Sequence, residues 1–72
     1  MTIAVGERLR AMRERRGMPI STLAKRAGMS RTTIYQIEGG HSAPRLDILN
    51  RLAVALEVSV LELIPEPAGA VA

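Results

Sequence analysis

The chain has 72 residues and carries 10 Lys+Arg against 7 Asp+Glu, for a formal charge of +3, with no Cys, Trp or Phe. A chain this short forms one small domain, which excludes a large enzyme cleft. Without Cys there is neither a disulfide nor a thiolate zinc site, so helix packing or oligomerisation must supply stability. No apolar run approaches the roughly 20 residues of a membrane span, and Met1 to Gly6 lacks the basic flank of a signal peptide. We therefore expect a soluble, cytoplasmic protein.

The charge is divided unevenly along the chain. Between Glu7 and Arg31 eight cations stand against two anions, giving +6, whereas the remainder holds two cations and five anions, giving −3. A basic half attracts polyanions, so nucleic acid, an acidic membrane surface and an acidic protein are the partner classes to consider. The membrane is the weakest of the three, because the first segment has no Trp or Phe to anchor an apolar face.

Helical periodicity predicts an all-α chain of five helices, at about 6–16, 19–27, 31–38, 45–56 and 60–64. Gly17 and Gly28 stand where helices end, Ser30 and Ser59 where side chains can cap the next helix. Residues 1–64 form the domain, and 65–72 are expected to be a flexible tail. The predicted core consists of Val5, Leu9, Met12, Ile20, Leu23, Ala24, Ala27, Ile34, Ile37, Leu46, Leu49, Leu52, Ala53, Leu56, Leu61, Leu63 and Ile64.

The segment from Ile20 to Glu38 has the pattern of a helix-turn-helix motif. Such a motif needs a small residue where two short helices cross, a glycine in the turn, and branched residues between the helices. Ala24, Gly28, Ile34 and Ile37 meet these needs. The alternative is a generic helical hairpin with no role in binding.

In this motif the second helix enters the DNA major groove, and its outward residues suit that task. Arg31 can pair with guanine, Gln36 with adenine, and the methyl groups of Thr32 and Thr33 can contact thymine. Tyr35, the one aromatic residue, either contacts sugar and phosphate or is a half-buried surface residue. Ser30 caps the helix and, in addition, lies where a phosphate can approach.

Three stretches resemble the Cro/Xre family of helix-turn-helix repressors: GERLRAMRERRGM, ISTLAKRAGMSRTTIYQIEGG and SAPRLDILNRLAVALEVSVLELI. The resemblance implies a compact five-helix, lambda-repressor-like domain that binds double-stranded DNA as a homodimer on a near-palindromic operator. It assigns base reading to Arg31, Thr32 and Gln36, with Thr33 and Tyr35 beside them. It implies an ion pair between Arg13 and Glu38. The positions it assigns to the DNA backbone are Lys25, Ser30, Gly39, His41, Ser42 and Arg45.

Two departures from the family pattern bear on structure. Glu57 stands where glycine is common, so the cap of the fourth helix is either not left-handed or strained. Ile48, Val54 and Val60 occupy positions that are often polar in the family. They predict a dimer interface, the alternative being that they fill the small core.

The leading interpretation is a transcriptional regulator, a repressor, without a ligand-binding or catalytic domain. The alternative is an antitoxin-like or adaptor module that binds a protein, such as polymerase or a toxin-like partner, with DNA binding secondary. An enzyme is disfavoured, because the single His41 lies in a Gly-rich loop without catalytic partners, and we expect no metal or cofactor.

Overall fold

The computed structural model describes residues 5–64, which form four α-helices and one turn of 3-10 helix. The helices are α1 (Val5–Arg15), α2 (Ile20–Ala27), α3 (Arg31–Glu38) and α4 (Leu46–Leu56), and the 3-10 turn is Val60–Glu62. The all-α prediction is confirmed. The predicted flexible tail, 65–72, lies outside the described residues. No described helix is long and apolar enough to cross a membrane.

The fifth predicted helix is a single 3-10 turn, which changes the residues it buries. Ser59 caps it as expected, accepting from the Leu61 N–H at 3.2 Å while Glu62 accepts from the Ser59 N–H. With three residues per turn, positions three apart share a face. Val60 and Leu63 therefore face the core, and Leu63 is fully buried. The prediction that Leu61 and Ile64 join the core is wrong, since they are 74% and 37% exposed.

The core lies between α2, α3 and α4, with α1 closing one side. Its fully buried large side chains come from all four helices and the segment after the 3-10 turn: Leu9, Leu23, Ile34, Ile37, Leu52, Leu56 and Leu63. The buried arc of α4 is centred on Leu52 and Leu56. Leu46 lies outside this arc, on an exposed stripe of α4 that continues at Asn50 and Val54, one and two turns further along the helix. The prediction that Leu46 is buried is therefore wrong.

The C-terminus of α4 has a left-handed cap made by a residue other than glycine. Glu57 has φ 59° and ψ 42°, and is the one described non-glycine residue with positive φ. Its N–H and that of Val58 donate to the carbonyls of Val54 and Ala53. Of the two alternatives for this position, the strained left-handed cap is the one present. Arg16, the residue directly after α1, donates from Nη2 to the Glu57 carbonyl at 3.0 Å and so connects the end of α1 to this cap.

Gly6 permits the close crossing of α1 and α3, a feature that the sequence reading did not detect. It is buried, and a Cβ built on it would collide with the backbone carbonyl of Ile37 and approach that of Glu38 to 2.9 Å. Because the obstacles are backbone atoms, no rotamer change relieves the clash. The first turn of α1 therefore lies against the end of α3 only because residue 6 has no side chain.

We expect Gly6→Ala to destabilise the domain by about 1–3 kcal/mol through overpacking. Helix propensity alone predicts the opposite sign, a gain of about 1 kcal/mol. The measurement is thermal or urea unfolding, with Glu7→Ala on the exposed side of the same turn as control. A Gly6→Ala variant at least as stable as wild type would contradict the close crossing.

Candidate nucleic-acid interface

The turn between α2 and α3 is built by Gly28, Met29 and Ser30. Gly28 has φ 69°, the left-handed conformation expected of it, and the Met29 N–H closes the end of α2 by donating to the Ala24 carbonyl at 3.0 Å. Leu23 and Ile34 are fully buried between the two helices. The small and branched residues of the predicted motif thus occupy the positions that the motif requires.

Ser30 caps α3 and shares its hydroxyl with Thr33. Its Oγ accepts from the Thr33 N–H at 3.1 Å and lies 2.9 Å from the Thr33 Oγ1. When Thr33 donates in that pair, the Ser30 proton is free for an outside acceptor such as a phosphate oxygen. Thr33 is half-buried and held by the cap, which places it at the edge of the outward face rather than on it.

The other four predicted base-reading residues share one exposed face of α3. Arg31 and Tyr35 lie one turn apart, as do Thr32 and Gln36. Tyr35 is 59% exposed, so it is a surface residue with its ring available for contact. Tyr35 also lines a cleft between α1 and α3 together with Arg10, a cation to which the sequence reading gave no role.

The loop after α3 uses its backbone donors internally. The N–H groups of Gly39, Gly40 and His41 donate to the carbonyls of Tyr35, Ile37 and Gln36 at 2.9, 3.1 and 2.8 Å. Gly39 therefore has no donor to offer a phosphate, and its predicted backbone contact does not fit this geometry. The side chains of His41 and Ser42 are exposed and keep that capacity.

Two further predicted backbone contacts are exposed cations on different elements. Lys25 lies on the outer side of α2 and lines a groove with Ser21, Ser30 and Arg31. Arg45 immediately precedes α4, with its Nε 3.6 Å from the Asp47 carboxylate. Because this pair is widely exposed, it restrains Arg45 only weakly.

Arg13 and Glu38 form a two-pronged ion pair between α1 and α3. Arg13 donates from Nε and Nη2 to the Glu38 carboxylate at 2.7 and 3.1 Å, and from Nη1 to the Met18 carbonyl at 3.0 Å. The side chains are 13% and 8% exposed. Hydrogen bonding to Glu38 raises the pKa of Arg13, against a smaller lowering by burial. The pair fixes the end of α3 relative to α1 and to the α1–α2 loop.

Arg51 of α4 contacts the turn of the motif, which the sequence reading did not anticipate. Its Nε donates to the Ala27 carbonyl at 3.1 Å and its Nη2 to the Gly28 carbonyl at 2.6 Å. A Cβ at Gly28 would approach that Nη2 to 2.9 Å. Nothing in the local sequence pattern signals this contact, because the partners are backbone atoms 23 and 24 residues away.

The three predicted dimer-interface residues do not share one environment. Ile48 and Val60 are partly buried against the chain's own core, as the core-filling alternative requires, whereas Val54 is 76% exposed. Leu46 lies on the same exposed stripe of α4 as Val54, and Leu61 faces outward from the 3-10 turn. Of the three, Val54 therefore offers the most apolar surface to a partner, and Ile48 and Val60 offer less because part of each side chain packs on the core.

α3 is a capped helix of eight residues with an exposed polar face, and a glycine turn joins it to α2, a second short helix. This arrangement is that of a DNA-binding helix-turn-helix module. A helix-turn-helix domain family model matches residues 4–64. The chain therefore belongs to this family, as a Cro/Xre-type regulator.

Relatives of known role agree with this assignment. The chain is 35% identical over 60 residues to the HTH-type transcriptional regulator SlrR of Bacillus subtilis, covering 82% of this chain and 40% of SlrR, so it spans less than half of that relative. It is similar to the DNA-binding domain of the P22 C2 repressor, with 33% identity and a TM-score of 0.81, over 85% of this chain and 80% of that domain. It is also similar to B. subtilis SinR in its complex with DNA, with 30% identity and a TM-score of 0.77, over 82% of this chain and 95% of the SinR chain.

We expect Arg13→Met or Glu38→Leu alone to cost about 3 kcal/mol, because each leaves a poorly solvated charged partner unpaired. The double variant Arg13→Met, Glu38→Leu should lose much less than the sum of the single changes. Urea unfolding of the four proteins gives the coupling energy. The exposed Arg10–Glu14 pair is the control and should contribute at most about 0.5 kcal/mol. Additive losses at Arg13 and Glu38 would contradict coupling.

Proposed function

We propose that this protein is a sequence-specific regulator of transcription, a repressor, that binds double-stranded DNA as a homodimer on a near-palindromic operator. The observation that carries the proposal is the single exposed face of α3 formed by Arg31, Thr32, Tyr35 and Gln36. It begins beside the capped N-terminus of the helix, the end that enters the major groove in this motif.

On that face the donors and acceptors are those that distinguish base pairs. The Arg31 guanidinium donates to O6 and N7 of guanine, and the Gln36 amide pairs with N6 and N7 of adenine. The Thr32 methyl contacts a thymine methyl. Tyr35 contacts sugar or phosphate at the side of the groove, next to Arg10. Thr33 contributes through the cap, by leaving the Ser30 proton free.

Phosphate contacts on both sides of α3 set its register in the groove. Lys25 and Ser30 approach the backbone on the α2 side, and His41, Ser42 and Arg45 do so from the loop before α4. Gly39 offers no amide donor in this proposal, because its N–H donates to the Tyr35 carbonyl. These contacts carry no sequence information, but their charges make affinity fall as salt rises.

Two copies joined through the exposed apolar residues Leu46, Val54 and Leu61 bring two α3 helices to one side of a duplex. Half-sites then lie about one helical turn apart, and occupancy blocks polymerase. A chain this small gains stability from burying these residues in a second copy.

Selection of bound DNA from a random pool tests the whole proposal. We expect a near-palindromic consensus containing guanine and adenine at positions assignable to Arg31 and Gln36. An asymmetric consensus would overturn the symmetric dimer, and the absence of any consensus would overturn sequence-specific binding.

We expect Arg31→Ala to weaken binding to the selected operator by about 1–3 kcal/mol and to relax the preference for guanine at one position of each half-site. The measurement is binding to the operator and to its single-base variants at fixed salt. Arg15→Ala is the control, since Arg15 is an exposed cation at the end of α1 and carries the same charge change. Equal losses for the two variants, with no change in base preference, would contradict base reading by Arg31.

We expect Val54→Asp to shift the protein from dimer to monomer in sedimentation equilibrium and to weaken operator binding, because two charges would meet in an apolar interface. Ala11→Asp, at an exposed position of α1 away from this stripe, is the control and should alter assembly much less. A Val54→Asp protein that dimerises like wild type would place the interface elsewhere.

A further inference from the structure

We propose that Arg51 is a positioning residue for DNA recognition: from α4 it fixes the turn of the motif and with it the angle at which α3 meets the groove. The inference rests on the proposed function. In this role Arg51 contacts neither a base nor a phosphate and acts on DNA binding only through the turn. Its basis is the pair of hydrogen bonds from Arg51 to the Ala27 and Gly28 carbonyls at 3.1 and 2.6 Å.

The two carbonyls lie where α2 ends, and the last carbonyls of a helix lack partners within the helix. This end also carries the negative pole of the helix dipole, which favours a guanidinium over a neutral donor. The planar fork of Arg51 spans consecutive carbonyls, so it holds the direction of the chain as it leaves α2. A single ammonium group cannot reproduce that geometry.

The turn needs such a restraint because α2 and α3 have only eight residues each. Helices of this length do not hold their own conformation in water, and contacts with the rest of the domain fix their relative angle. The Arg13–Glu38 pair holds the far end of α3 from α1. Arg51 holds the near end through Gly28, two residues before the Ser30 cap and three before Arg31.

Experiment can distinguish this positioning role from the alternative, in which the positive charge of Arg51 attracts phosphates. If Arg51 acted as a cation, Arg51→Lys would bind DNA like wild type, and Arg51→Gln would reduce the salt slope by about 1 and weaken all DNA equally. If Arg51 positions α3, both substitutions weaken the operator complex while leaving the salt slope and the affinity for random DNA unchanged.

The test compares wild type, Arg51→Lys, Arg51→Gln and the control Arg15→Gln on the selected operator and on random duplex, across a salt series. We expect both Arg51 variants to lose about tenfold in operator affinity, the counterpart of one charge-assisted hydrogen bond. Arg15→Gln should keep the operator preference of wild type. In the free protein, hydrogen exchange at the Met29 amide should quicken in the Arg51 variants, because that amide closes the end of α2.

Thermal unfolding of each variant gives the folded fraction at the assay temperature. Wild-type operator affinity in both Arg51 variants, or a loss accounted for by the unfolded fraction, would overturn the inference. So would a parallel loss on random DNA with a lower salt slope. These outcomes leave the proposed function intact. If wild type itself selects no sequence, the proposed function fails and the Arg51 inference fails with it.

Discussion

The constraint on which this domain depends is the shortness of α2 and α3. Eight residues give each helix little more than two turns, so neither the helices nor the angle between them is stable without support. The fully buried Leu23 and Ile34 supply the apolar part of that support. Polar contacts hold the C-terminal end of α3, from Arg13 of α1 to Glu38, and the turn that precedes α3, from Arg51 of α4 to Gly28. The orientation of the exposed face of α3 is therefore fixed by contacts with the rest of the chain, and not by α2 and α3 alone.

Arginine side chains do two different kinds of work in this molecule. Four of them donate to backbone carbonyls of another segment: Arg8 to Glu62, Arg13 to Met18, Arg16 to Glu57 and Arg51 to Gly28. The carbonyls of Gly28 and Glu57 are those of the caps that end α2 and α4, where the helix dipole is negative. Those of Met18 and Glu62 lie in the α1–α2 linker and at the end of the 3-10 turn. Other cations, including Lys25 and Arg31, are exposed on the helix-turn-helix surface. Cations that look alike in the sequence therefore differ in the structure, because some are bonded to carbonyls of the domain and others stay exposed, where the proposed function places DNA.

Local chemistry decided what the sequence could predict. The Ser30 cap, the left-handed Gly28 and the exposed face of α3 follow from residues within a few positions of one another, and each stands where it was expected. The failures have a geometric origin. Leu61 and Ile64 were wrongly placed in the core because a 3-10 turn repeats every three residues, and an α-helical spacing was assumed. Gly6 and Arg51 were missed because their partners are backbone carbonyls distant in sequence, which leave no pattern in side-chain type.

The same division of arginines changes how the basic half of the chain relates to DNA affinity. A formal charge of +6 between Glu7 and Arg31 includes Arg8, Arg13 and Arg16, which donate to carbonyls inside the domain. The Arg13 guanidinium donates from all three of its nitrogens within the domain, so it adds to the long-range field but has few donors left for a phosphate. Arg8 and Arg16 each donate one hydrogen bond to a carbonyl, which restrains them less. Counterion release depends on the phosphates that are neutralised at close range. Under the proposed function, the exposed cations around α3, rather than the net charge of the half, therefore determine how steeply DNA affinity falls with salt.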